Sequence, residues 1–111
     1  MENLEELLNE LQLQNQQLQT ILIQKQSLMI QGKEVERALE EIEKGSEEIY
    51  RSVGPILVKT NREDIKKDLE EDREETDIKI KSLDKQEIRI RKRIKEIQEK
   101  FQEFTRTSKG G

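Results

Sequence analysis

The 111-residue chain has no cysteine, no histidine and no tryptophan. It has one proline, one tyrosine and two phenylalanines. Without cysteine there are no disulfides, no thiolate metal ligands and no thiol nucleophile. Without histidine, a general base near neutral pH would have to be a carboxylate or lysine with a strongly shifted pKa, and such a shift needs burial. A chain that is only 31% hydrophobic and 3% aromatic cannot build the deep core or concave pocket that such burial requires. No glycine-rich phosphate loop, metal-ligand cluster or nucleophile motif is present. The reading is a protein that is not an enzyme and binds no cofactor or metal. There is also no apolar run long enough to span a membrane and no signal peptide, which predicts a cytoplasmic protein.

Charged residues make up 41% of the chain, yet the net charge is only −4. That composition is typical of coiled coils and long helices. It also borders on disorder, but disorder gives no reason for apolar residues to be periodic, and here they are. From Met1 to Ser46 one heptad frame holds throughout. The a positions are Leu4, Leu11, Leu18, Lys25, Gly32 and Leu39; the d positions are Leu7, Gln14, Ile21, Leu28, Val35 and Ile42. All but Gln14, Lys25 and Gly32 are apolar, which predicts a left-handed coiled coil. Leu8, Leu22 and Met29 fall at e and should widen the stripe. Ile23 and Ile30 fall at the outward f position, as does Ile78 later in the chain. The stretch Gln12 to Gln26 is rich in glutamine, which solvates a helix without charge.

Gly45-Ser46 should end this helix, and Glu47-Glu48 should lead out of it. The next stretch, Ile49-Tyr50-Arg51-Ser52-Val53-Gly54-Pro55-Ile56-Leu57-Val58-Lys59-Thr60, is the one place where β-branched residues cluster. Two short apolar runs around Gly54-Pro55 predict a β-hairpin. Gly54 can take a positive φ and Pro55 cannot, which suits a type II′ turn. Ile56, Leu57 and Val58 are consecutive, so both faces of the second strand are apolar. A lone hairpin is marginal in water, so other chains should supply the missing strands. Assembly should rest on Ile49, Tyr50, Val53, Gly54, Ile56, Leu57 and Val58.

Asn61-Arg62-Glu63-Asp64 reads as a helix start, with Asn61 able to accept from the third amide of the helix. The second helix is predicted over 62–106, with Leu69, Thr76, Leu83, Ile90, Ile97 and Phe104 at d and Lys66, Arg73, Ile80, Glu87, Ile94 and Phe101 at a. Residues 107–111 should be a disordered tail. A hairpin makes the two helices antiparallel neighbours, with paired positions adding to about 108 or 109. Lys25 should then lie across from Leu83, one layer from Glu87 and within reach of an ion pair. The fold class is mainly α: two long antiparallel coiled-coil helices joined by a β-hairpin, a single domain over 1–111.

Two surfaces remain to be weighed. Arg89, Arg91, Lys92, Arg93 and Lys95 form a basic run; with Glu87, Glu96 and Glu99 around it, the run reads as a solvated face and not as a nucleic-acid stripe. Leu4, Leu7, Leu8 and Leu11 crowd one terminus, and Phe101 and Phe104 the other. The antiparallel fold should bring them together at a tip that frays, exposing an apolar cluster to partners.

The run Tyr50-x-x-Val53-Gly54-x-Ile56-Leu57-Val58-Lys59, with Gln24-Lys25-Gln26, Glu34 to Ile42 and Leu83-Asp84-Lys85-Gln86-Glu87, resembles the β-type subunit of archaeal prefoldin. The resemblance covers nearly the whole chain; Pro55 departs from it, where Asn or another turn former is expected. It implies a hexameric co-chaperone of two α-type and four β-type subunits. The hairpins would join into a β-barrel body, and coiled-coil tips would capture unfolded polypeptides without ATP and deliver them to a group II chaperonin. The tip residues Leu4, Leu7, Leu8, Leu11, Phe101 and Phe104 would then meet the client. No nucleic-acid or membrane partner is implied. A structural or tethering coiled coil is the alternative.

Overall fold

The computed structural model describes residues 3–45 and 48–110. Helix α1 spans Leu4–Glu43, strands β1 and β2 span Ile49–Val53 and Ile56–Thr60, and helix α2 spans Arg62–Gly110. The architecture is the predicted one, two long helices with an antiparallel two-stranded hairpin between them. Two compact units divide it, residues 26–80 and residues 3–25 with 81–110.

In the unit of residues 26–80, the seam follows the heptad. Val35, Leu39 and Ile42 are buried, as is Thr76 at a d position. A buried hydroxyl needs a partner, and the Thr76 hydroxyl donates to the Asp72 carbonyl one turn back (2.8 Å). Gly32 faces the Thr76 methyl. A Cβ built on Gly32 would meet that methyl at 3.8 Å, an ordinary contact, so close approach does not require glycine here. Lys66 reaches Glu43 across the seam at 3.9 Å.

α1 stops where Gly45 takes a φ of +93°. The Gly45 amide donates to the Ile42 carbonyl (3.4 Å), satisfying one of the orphan acceptors of the last turn. Ser46 and Glu47, the rest of the predicted exit, lie outside the described residues. The hairpin pairs Ile49 with Thr60 through to Val53 with Ile56, leaving a two-residue turn. Gly54 has a φ of +57° and no described non-glycine residue has a positive φ, the sign pattern of a type II′ turn. Arg51 ties the hairpin to α2 through Asp68 (2.8 Å).

α2 begins on the predicted cap. The Asn61 side-chain oxygen accepts from the Asp64 amide at 2.8 Å, and its amide group donates to the Asp64 carboxylate at 2.9 Å. The helix then runs to Gly110, past the disordered tail predicted from residue 107. Nothing between Thr107 and Lys109 removes a backbone donor, and extending an established helix is far easier than starting one. Gly111 lies outside the described residues.

In the other unit, Leu7, Ile21 and Ile97 are buried, flanked by half-buried Leu11, Leu18, Leu83, Ile90, Ile94 and Phe101. Helix α1 starts on a cap absent from the sequence expectation. The Asn3 side chain accepts from the Glu6 amide (2.8 Å), and the Glu6 carboxylate accepts in return from the Asn3 amide (3.4 Å). The reciprocal pair is a capping box. The predicted helical start at Met1 and Glu2 lies outside the described residues.

Lys25 behaves as its register predicts. Its ammonium sits 2.9 Å from Glu87 and also reaches Asp84. Hydrogen bonds to Asp84, then to Glu87, raise its pKa above the ordinary lysine range. Glu87 also accepts from Arg91 (2.8 Å). That bond first, then the one from Lys25, holds the Glu87 carboxyl below the usual carboxylate range. A second link across this seam runs from the Arg93 guanidinium to both oxygens of Glu10 (2.6 and 2.7 Å), a fork-on-fork geometry.

One expectation is corrected. Leu8, Leu22 and Met29 at the e positions do not enter the seam; all three remain exposed. A single partner helix covers only the narrow a/d line, and the wider stripe has nothing to cover it within the described chain.

Candidate functional site

The hairpin is the first candidate surface. In the observed register Ile49, Arg51, Val53, Ile56, Val58 and Thr60 share one face. Tyr50, Ser52, Leu57 and Lys59 share the other, since successive side chains alternate. The apolar content is therefore unequal. The first face carries four aliphatic side chains; the second carries Leu57 and the ring of Tyr50. Val53, Ile56, Leu57, Val58 and Tyr50 are all exposed, Leu57 at 70%. Tyr50 donates its hydroxyl to the Glu48 carboxylate at 2.8 Å. That bond, and then partial burial, raises the Tyr50 pKa. The ring is thereby held by its polar end while its apolar body stays open. A two-stranded ribbon leaves its edges and aliphatic faces open to further strands, which makes it a candidate assembly surface.

The helix ends form the second. The predicted cluster divides into floor and surface. Leu7 is buried at 1% exposure, while Leu11 and Phe101 are half-buried. Leu4, Leu8 and Phe104 are the open members, at 51%, 48% and 42%. Leu7 and Phe104 line a shallow depression together with Lys100, Glu103 and Thr107, so the first turns of α1 lie beside the last turns of α2. Such a surface has no shaped pocket. It offers a few aliphatic and aromatic contacts within a rim of mixed charge.

The basic run is partly consumed by the fold. Arg91 is paired with Glu87, and Arg93 with Glu10 and Glu96. Among the described residues, no group of histidine, cysteine or acidic side chains could hold a metal ion, and no helix is long and apolar enough to cross a membrane.

Known proteins share this arrangement. The prefoldin subunit family matches residues 5–107. Prefoldin subunit beta of Archaeoglobus fulgidus is 47% identical over 53 residues, 48% of this chain and 46% of that protein. The subunit of the same name from Methanocella arvoryzae is 42% identical over 52 residues, 47% of this chain and 41% of that one. The chain thus spans less than half the length of these curated relatives. Two crystal structures from Thermococcus strain KS-1 share the fold. The prefoldin beta subunit superposes with a TM-score of 0.82 over 93% of this chain and 96% of that one, at 29% identity. The beta2 subunit superposes with a TM-score of 0.68 over 79% and 93%, at 31% identity. The family match over residues 5–107 and the superposition across almost the whole chain establish that this chain belongs to the prefoldin subunit family and is similar to its β-type members.

Proposed function

We propose that this chain is a β-type subunit of a prefoldin-like co-chaperone that acts in the cytoplasm. Its hairpin joins those of further copies and of an α-type relative, two α-type and four β-type subunits in all, to form a β-barrel body. Its helix ends capture non-native polypeptides without ATP, and the assembly passes them to a group II chaperonin. The observation that carries this reading is the open trio Leu4, Leu8 and Phe104 in a chain that is 41% charged. An unfolded polypeptide exposes apolar side chains in no fixed order. Its receptor therefore needs several weak apolar contacts acting together and not one fitted cavity. Burying one Leu or Phe against a client yields roughly 1.5–3 kcal/mol at most. Joining several such sites raises avidity by about 10²–10⁴.

The test uses the assembled complex. Leu4→Ser, Leu8→Ser and Phe104→Ser together leave the buried Leu7 and Ile97 in place, so the subunit still folds. The expected result is a complex of unchanged mass that no longer suppresses light scattering by citrate synthase diluted from guanidinium. A tethering coiled coil would not suppress scattering even in the parent form. Undiminished protection by the triple variant would place client binding elsewhere.

A further inference from the structure

We infer that the outward face of α2 docks a second copy of this chain, antiparallel, through ion pairs whose signs are already matched along the helix. The inference goes beyond the chaperone reading and does not depend on what the helix ends bind. On α2 the heptad positions b and f lie away from the a/d line that faces α1. Taken inward from both ends toward Leu83, they pair with opposite sign: Lys67 with Glu99, Glu71 with Lys95, Glu74 with Lys92. The next pair is Ile78 with Ile88, 62% and 68% exposed. Only the innermost, Lys81 with Lys85, is like-charged. The members of each pair lie equally far from Leu83. Those are the positions that meet when two copies of one helix cross a two-fold axis, where residue i touches j and j touches i.

The six charged residues of the three outer pairs are exposed, and none makes an ion pair within the described chain. Nor does the face neutralise itself. Glu71 and Glu74 are three residues apart, as are Lys92 and Lys95, and like charges at that spacing on a helix repel. The charges that do alternate in sign nearby are held in the seam, Asp84 and Glu87 on Lys25 and Arg93 on Glu10. A foreign acidic or basic partner would meet one half of the face and be repelled by the other. A second copy satisfies both, because Glu71 and Glu74 of one chain meet Lys95 and Lys92 of the other and symmetry repeats the contact. Residues 67–78 and 88–99 belong to different units of the chain. Each half-contact joins one of these segments to the other in the partner copy, so each stands by itself. Ile78 against Ile88 gives each half a small apolar centre. With Lys81 facing Lys85 at the axis and every charge at the surface, the contact is weak and salt-sensitive.

Disulfide trapping of full-length chains tests this. The chain has no cysteine, so Ile78→Cys chains mixed with Ile88→Cys chains report one specific contact. Under mild oxidation at low salt they should give about tenfold more mixed dimer than Ile78→Cys with Gln102→Cys, an exposed b position two heptads farther along. Glu71→Lys with Glu74→Lys, added to both chains, sets like charges against each other and should cut the yield about tenfold, as should Lys92→Glu with Lys95→Glu. All four changes together keep the composition and net charge of the parent and restore the pairing with its signs exchanged, so the yield should return. The substituted positions are all exposed, and circular dichroism checks that helical content is unchanged. No excess of the 78–88 dimer over the control, or a yield indifferent to both reversals, overturns the docking. So does a fourfold variant that fails to recover, which would assign the two halves to separate partners, a nucleic acid on the basic half among them.

Discussion

Leu57 and Val58 are the place to break the assembly without breaking the subunit. They point to opposite faces of the hairpin, and in the single chain they are 70% and 47% exposed. Replacing both with Asp therefore removes little from the folded monomer, chiefly the covered half of Val58. In an assembly that covers both faces the same change is severe. Burying a Leu or a Val yields roughly 1.5–3 kcal/mol, so the pair contributes about 3–6 kcal/mol per hairpin, an upper figure because coverage is rarely complete. The two carboxylates would in addition be stripped of water with no cation to meet them. A loss of about 4 kcal/mol already weakens a dissociation constant by about a thousandfold. Sedimentation velocity at micromolar concentration should show a full-size complex for the parent and small species for Leu57→Asp with Val58→Asp. The far-ultraviolet circular dichroism of the two should match. Leu57→Thr, polar but uncharged and suited to a strand, should give an intermediate shift. A full-size complex from the double Asp variant would refute the argument, because it would mean that neither face of the hairpin is covered by a partner.

Most of the fold is legible in the sequence because a heptad is a statement about one helix face. Val35, Leu39 and Ile42 are buried as their positions require, Lys25 meets Glu87, and Gly45, Gly54 and Asn61 do what their conformational preferences dictate. What the heptad does not specify is how many helices cover that face. Leu8, Leu22 and Met29 look like core from spacing alone and are exposed because only one helix lies opposite. The Asn3 cap was readable from Asn-x-x-Glu at the chain start but was obscured by a periodicity that reached back toward Met1. Thr76 appears as a flaw in a d layer until its hydroxyl is seen bonded to the Asp72 carbonyl. At the helix ends, sequence supplies the six apolar residues but not their division into floor and surface.

The remaining predictions concern the seam. Gly32→Ala should stabilise the chain by about 0.5–1 kcal/mol, since the added methyl meets Thr76 at an ordinary distance and alanine is the better helix former. Urea unfolding of the two forms measures this, and a less stable Ala variant would mean the helices pack more closely at that layer. The last prediction is a pH profile. Glu87 has its pKa lowered in the folded chain by Arg91 and then Lys25. Its contribution is therefore present above the unfolded carboxylate value, about 4.3, and is lost as pH falls through the lower folded value. Lys25 has its pKa raised by Asp84 and then Glu87. Its contribution is full below the unfolded lysine value, about 10.4, and is lost as pH rises through the higher folded one. Between these limits the bridge contributes steadily. Lys25→Met removes both the alkaline loss and part of the acid one, since Glu87 keeps Arg91. Unfolding measured from pH 3 to 11 should give the variant a flatter profile at both ends. Whether the variant is more or less stable at neutral pH is a separate matter, because a methionine packs at an a position where the lysine does not. Only the shape of the curve tests the bridge, and two parallel curves would show that Lys25 carries no proton-linked stability.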